Sequence, residues 1–132
     1  MRTLDHVGIA VESLRAGLER WRPLLGEPEA PPEEVVSQKV RVAFLRGGGT
    51  HIELLEPTDP TSAVAQFLAR RGEGLHHLAF RVPSVAAALS EVEQHGGRLV
   101  DRVARPGARG HRVGFAHPSA FAGVLVEFVE GL

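Results

Sequence analysis

The sequence predicts an α+β fold of two tandem βαβββ modules, forming a cup-shaped mixed β-sheet half-barrel with helices on the outside. Three observations lead there. The chain repeats itself at an offset of 71 residues. Each copy opens on a strand whose apolar residues alternate. Each opening strand is followed by an amphipathic stretch that begins at serine and stops at glycine.

The repeat is read directly from the residues. LDHVGIAVESL at 4–14 aligns with LHHLAFRVPSV at 75–85, so His6 falls on His77, Val11 on Val82 and Ser13 on Ser84. Gly26 falls on Gly97, and RVAF at 41–44 falls on RVGF at 112–115. IELLE at 52–56 then matches VEFVE at 126–130, at an offset of 74. The three extra residues fall in the turn before the last strand, HPSAFAG against RGGG. A constant offset interrupted once, at a turn, implies duplication of one unit.

Each element follows in order. In the first strand Val7, Ile9 and Val11 share one face, and His6, Gly8 and Ala10 share the other. Its copy places Leu78, Phe80 and Val82 opposite His77, Ala79 and Arg81. Ser13 opens a helix with Leu14, Leu18, Trp21 and Leu25 at helical spacing, ending at Gly26. Ser84 opens the second, with Val85, Leu89 and Val92 on its stripe, ending at Gly96 and Gly97. Three strands are expected after each helix, near 33–37, 40–46 and 50–56, then near 98–104, 111–116 and 123–130. EPEAPPEE at 27–34 is a Pro-rich loop, and GGG at 47–49 is a hairpin turn, because no helix follows it to make a phosphate loop. TSAVAQFLARR at 61–71 predicts a linking helix. The organisation expected is a single domain over 1–132, with module one about 1–58, the linker about 61–71 and module two about 74–132.

Composition narrows the function. The chain has 132 residues, 43% hydrophobic and 23% charged, with a formal net charge of -1. That balance argues against nucleic acid or an anionic membrane as partner. No apolar run reaches the roughly 18 residues of a membrane helix. The opening MRTLDHVGIAV resembles no targeting peptide, so a cytoplasmic location is expected. There is no cysteine, so any metal must sit on imidazole and carboxylate.

Four residues stand out for chemistry. Singly, a histidine or glutamate on a strand is more often a solvated or hydrogen-bonded residue than a ligand. The duplication changes that reading, because His6 and His77 are repeat partners and so are Glu53 and Glu127. Both glutamates interrupt apolar strands (HIELL and VLVEFV), where an unpaired carboxylate is costly to bury. One divalent ion held by His6, Glu53, His77 and Glu127 removes that cost. Two imidazoles and two carboxylates suit Co, Ni, Mn, Fe or Zn, with cobalt the first expectation. The other histidines fit less well. His76 has the wrong parity, and His51 lies roughly 7 Å along the strand from Glu53. His95 sits at the negative end of a helix dipole. His111 and His117 lie in loops.

The stretches LDHVGIAV at 4–11, THIELLEP at 50–57, GLHHLAFRV at 74–82 and HPSAFAGVLVE at 117–127 carry a likeness. The chain resembles the vicinal oxygen chelate superfamily, which includes glyoxalase I and the extradiol dioxygenases. Within it the motifs are most similar to those of the methylmalonyl-CoA epimerases. That resemblance implies the same ligands, His6, Glu53, His77 and Glu127. It also implies inversion at C2 of methylmalonyl-CoA through a metal-stabilised enolate, with Glu127 and Glu53 as acid and base. An acyl-CoA substrate and a homodimer are further expectations. Arg70, Arg71, Arg105, Arg109 and Arg112 are available for the CoA phosphates, and none is singled out. Two departures stand. Ser119 follows the His-Pro turn where relatives often have lysine. The strand KVRVAFL also lacks the glutamate that some relatives use as a base. A glyoxalase I-like isomerase shares the ligand set, and a metal-free binding protein shares the scaffold. An extradiol dioxygenase fits poorly, since a fourth ligand would occupy a position needed for oxygen or catechol.

Overall fold

The computed structural model describes residues 2–131. Its backbone divides into two compact units, His6–His76 on one hand and Met1–Asp5 with His77–Leu132 on the other. The elements run in chain order as β1 (Thr3–Ala10), α1 (Leu14–Leu25), β2 (Glu33–Val35), β3 (Val40–Gly47), β4 (Thr50–Pro57) and α2 (Ala63–Arg71). Then come β5 (Gly74–Val82), α3 (Val85–Gln94), β6 (Arg105–Pro106), β7 (Arg112–Ala116) and β8 (Val126–Glu130). The βαβββ order therefore occurs twice, as the repeat requires. Among the described residues no helix is long and apolar enough to cross a membrane.

In the unit His6–His76 the strands lie in the order β2-β3-β4-β1. β1 runs parallel to β4 with Gly8 opposite Glu53. β3 runs antiparallel to β4 with Phe44 opposite Glu53. One face is apolar, and α1 packs on it. Ile9, Val11, Leu14, Ala43, Leu45 and Leu54 form its core, with Leu18, Trp21, Leu25 and Ile52 packed alongside. Full burial of a side chain such as Leu54 stabilises the fold by about 1.5–3 kcal/mol.

The second unit repeats the arrangement as β5-β8-β7-β6. β5 is parallel to β8 with Ala79 opposite Glu127, and β7 is antiparallel with Phe115 opposite Glu127. α3 covers the apolar face through Val85, Ala88 and Leu89, which meet Val82, Ala116, Val126 and Phe128. Gly114 permits this approach. A Cβ there would lie 2.9 Å from side-chain carbons of both Leu89 and Val85.

Both module helices are capped identically. Ser13 Oγ accepts from Ala16 N–H, and Ser84 Oγ accepts from Ala87 N–H, each at 3.1 Å. A second cap comes from the far end of each module. Leu14 N–H donates to Glu56 Oε2 at 3.3 Å, and Val85 N–H donates to Glu130 Oε1 at 2.8 Å. Glu56 and Glu130 are repeat partners, so the last glutamate of IELLE and VEFVE places negative charge at a helix N-terminus, where the dipole favours it. α1 stops at Gly26, whose φ of 79° lies in the left-handed region open to glycine.

Three strand boundaries differ from expectation. The segment 98–104 is not a strand. Leu99 makes one isolated bridge to Ala116, while Val100 and Asp101 N–H both donate to Phe115 O. The Asp101 carboxylate takes the Phe115 N–H at 2.9 Å, so a side chain occupies the donor a ladder would need. Pairing resumes only at Arg105. The strand expected over 33–37 ends at Val35, where a 3-10 turn begins and runs to a left-handed Lys39 (φ 56°). The last strand starts at Val126, not 123. Residues before it complete a 3-10 turn closed by Gly123 N–H to Pro118 O and Val124 N–H to Phe121 O.

Candidate metal centre

Strand alternation lifts His6 and Glu53 off the apolar face of their unit, and the parallel pairing of β1 with β4 brings them together. His6 Nε2 lies 3.2 Å from Glu53 Oε1. In the other unit the pairing of β5 with β8 does the same, and His77 Nε2 lies 3.1 Å from Glu127 Oε1. All four residues are buried, none more than 5% exposed.

Each pair has an aromatic neighbour. The Phe44 ring meets the His6 imidazole edge-on at 5.4 Å between centroids. Phe115 meets His77 likewise at 5.6 Å. Phe44 and Phe115 are repeat partners in RVAF and RVGF, so the duplication reproduces a His–Glu–Phe arrangement, not only a ligand type. Each ring packs edge-on against its imidazole and so limits the rotation of that histidine. Val42, on the same face of β3 as Phe44, is 1% exposed. No acid stands on that strand, as its sequence KVRVAFL indicates.

The donor chemistry fits a divalent ion. Two ligand atoms about 2.1 Å from one metal at a right angle stand about 3 Å apart, which is the separation within each pair. His6, Glu53, His77 and Glu127 are of the types and burial able to hold such an ion. Imidazole nitrogen with carboxylate oxygen suits first-row divalent metals.

The other histidines have different work. His51 Nε2 lies 2.7 Å from Glu29 Oε1, and Arg46 also reaches Glu29. These neighbours hold the Glu29 carboxyl below its ordinary value, the His51 hydrogen bond first and the Arg46 charge after it. His76 packs edge-on against Phe67 of α2, on the helix side, as its parity indicates. His95 Nδ1 bonds Glu91 O at the end of α3. His117 caps the turn that follows it, with Ser119 N–H donating to its Nδ1 at 3.1 Å. His111 is the residue on which the short turn at Ala108–Gly110 ends.

The arginines expected near an anionic substrate are partly engaged. Arg105 pairs with Asp101 and lies over the Phe115 ring. Arg71 lies over Phe67. Arg112 reaches Ala104 O at 3.5 Å. Arg109 donates to Asp5 Oδ2 at 2.7 Å, and Arg81 donates to Asp5 Oδ1 at 2.8 Å. Asp5, 2% exposed and adjacent to His6, was not legible as a partner for two arginines so distant in sequence. The phenylalanines at 44 and 115 carried a readable signal, since they close the conserved half of RVAF and RVGF within this chain.

The sequence pattern of the Glyoxalase/Bleomycin resistance protein/Dioxygenase superfamily matches residues 5–115. The uncharacterized protein YqjC of Bacillus subtilis is 39% identical over 98% of this chain and 93% of its own. The ethylmalonyl-CoA/methylmalonyl-CoA epimerase of Cereibacter sphaeroides is 36% identical over 96% of each chain. A solved structure of a Streptomyces coelicolor methylmalonyl-CoA epimerase variant, in complex with 2-nitronate-propionyl-CoA, superposes with a TM-score of 0.90. It shares 38% identity over 98% of this chain and 94% of that one.

Proposed function

Because the chain belongs to the Glyoxalase/Bleomycin resistance protein/Dioxygenase superfamily, we propose that it is a metal-dependent epimerase of methylmalonyl-CoA. The observation that carries this reading is the duplicated buried pair, His6 with Glu53 and His77 with Glu127. The epimerase from Cereibacter sphaeroides, alike over nearly the whole of both chains, supports the substrate.

In this reading the two pairs hold one divalent ion, cobalt before nickel, manganese, zinc or iron. When bound, the ion supplies an electrophile for the substrate oxygens flanking C2, which makes the C2 proton more acidic. The chain's own residues do the rest. Glu127 accepts the C2 proton, and Glu53 supplies a proton to the carbon from its other face. Both carboxylates are buried, so they meet the substrate carbon shielded from bulk water. Phe44 and Phe115 hold the imidazoles and exclude solvent from the carbanion. The strand β3 carries no acid, and Glu53 is the candidate for the second proton transfer.

The test is deuterium uptake at C2 of methylmalonyl-CoA, followed by NMR after chelation and re-addition of single metals. Metal-dependent exchange, lost in His77→Ala, is expected. Glu127→Gln should lose exchange while keeping its ion. Full exchange in that variant overturns the assignment of Glu127. A stoichiometrically bound ion with no exchange would instead direct the site to the hemithioacetal substrates of glyoxalase I.

A further inference from the structure

The two modules differ in how the space beneath the helix is filled. In the first, Trp21 and Leu25 of α1 pack half-buried against a core that includes Ile9, Ile52 and Leu54. Their repeat partners in the second module are Val92 and Gly96. On the strands Phe80 and Phe128 are larger than their partners Ile9 and Leu54, while Val126 is one methylene smaller than Ile52. The second module has therefore lost an indole and an isobutyl group on the helix side, with partial compensation from the sheet.

A cleft of about 550 Å³ remains there, lined by Phe80, Val92, Phe121, Val126 and Phe128 among others. Small-molecule sites occupy about 300–1,000 Å³ and are mostly apolar with a few polar groups. Phe80, Val126 and Phe128 have the opposite parity to His77 and Glu127, so the cleft lies on the helix side of the sheet, away from those carboxylates. Phe121 is 39% exposed at its edge. The polar groups are at the rim, where Arg2, Glu91 and His95 border the cleft. Arg2 Nη2 lies 3.5 Å from Glu91 Oε2, with both side chains well exposed. A pair of that kind contributes little, so Arg2 can exchange Glu91 for another carboxylate at small cost.

We propose that this cleft is a second ligand site that takes a small aromatic carboxylate. Its ring lies where the Trp21 indole lies in the first module, and its carboxylate meets Arg2. The site is independent of the epimerase reading, because it uses none of the four metal-centre residues.

The full chain is titrated with indole-3-acetate and followed by amide NMR. Saturable shifts at Val92, Phe121 and Phe128 are expected. Val92→Trp restores the indole of the first module and should weaken binding at least tenfold. Val92→Phe serves the same purpose if the larger side chain impairs folding, which the dispersion of the amide spectrum reports. Arg2→Ala should weaken indole-3-acetate severalfold and leave indole unchanged. No saturable shift at these amides, or undiminished binding in a folded Val92 variant, overturns the proposal. So does a self-association, measured by sedimentation, that Val92→Trp abolishes while the probe does not bind, since a second copy would then cover the cleft.

Discussion

Asp5 and Arg109 are 104 residues apart in sequence and 2.7 Å apart in the fold. The Asp5 side chain is 1% exposed, and its other oxygen is taken by Arg81. Arg109 itself adopts a left-handed backbone, φ 60°, which costs a non-glycine residue about 1 kcal/mol or more. The ion pair holds that turn, between β6 and β7, against the start of β1.

Arg109→Ala should therefore destabilise the protein by about 1–3 kcal/mol, the range for a hydrogen bond to a buried charge. The denaturant midpoint measures it. Arg109→Gly should lose less than Arg109→Ala, because glycine relieves the backbone strain while removing the same side chain. Equal losses would separate the strain from the pair.

Metal binding should stabilise the fold. An ion that binds only the folded chain adds about 2.7 kcal/mol at a hundredfold excess over its Kd. Adding cobalt to chelated protein should raise Tm, and His6→Ala and His77→Ala should each remove most of the rise. Their equivalence is the point, since the repeat gives them the same neighbours. An undiminished rise in either variant would place the ion elsewhere.

The caps from β4 and β8 are unequal in length, 3.3 Å for Glu56 and 2.8 Å for Glu130. Glu130→Ala should cost about 0.5–2 kcal/mol, as loss of an N-cap does. Glu56→Ala should cost less. Hydrogen exchange at the Val85 amide should accelerate in the first variant and that at Leu14 in the second.

Glu29 titrates below its ordinary carboxyl value of 4.5 in the folded chain, principally through the His51 hydrogen bond. A depressed folded value means its contribution to stability is present above 4.5 and is lost as pH falls through the folded value. Carbon-detected NMR on labelled glutamate should show the low titration point directly. His51→Ala should move it upward, and Arg46→Ala should move it upward as well.

Alternation in DHVGIAV and HHLAFRV was enough to separate the faces of β1 and β5, and the repeat was enough to pair His6 with His77 and Glu53 with Glu127. Ser13, Gly26 and Ser84 marked helix ends that the structure reproduces. The second module was less legible between its helix and β7. The segment 98–104 looked like a strand, yet Asp101 captures the Phe115 amide and ends the pairing. Local propensity could not anticipate a hydrogen bond fourteen residues away.

The sequence by itself determined the duplicated architecture, the apolar face of each sheet and the four candidate ligands. These depend on period and repetition, which are properties of order along the chain. Only the tertiary structure decided the partners of Asp5, the edge contacts of Phe44 and Phe115, the helix caps from Glu56 and Glu130, and the cleft opened by Val92 and Gly96. Those depend on which side chains meet across distant segments, where distances of a few ångströms govern electrostatic and packing energies. A one-dimensional pattern carries no measure of such distances.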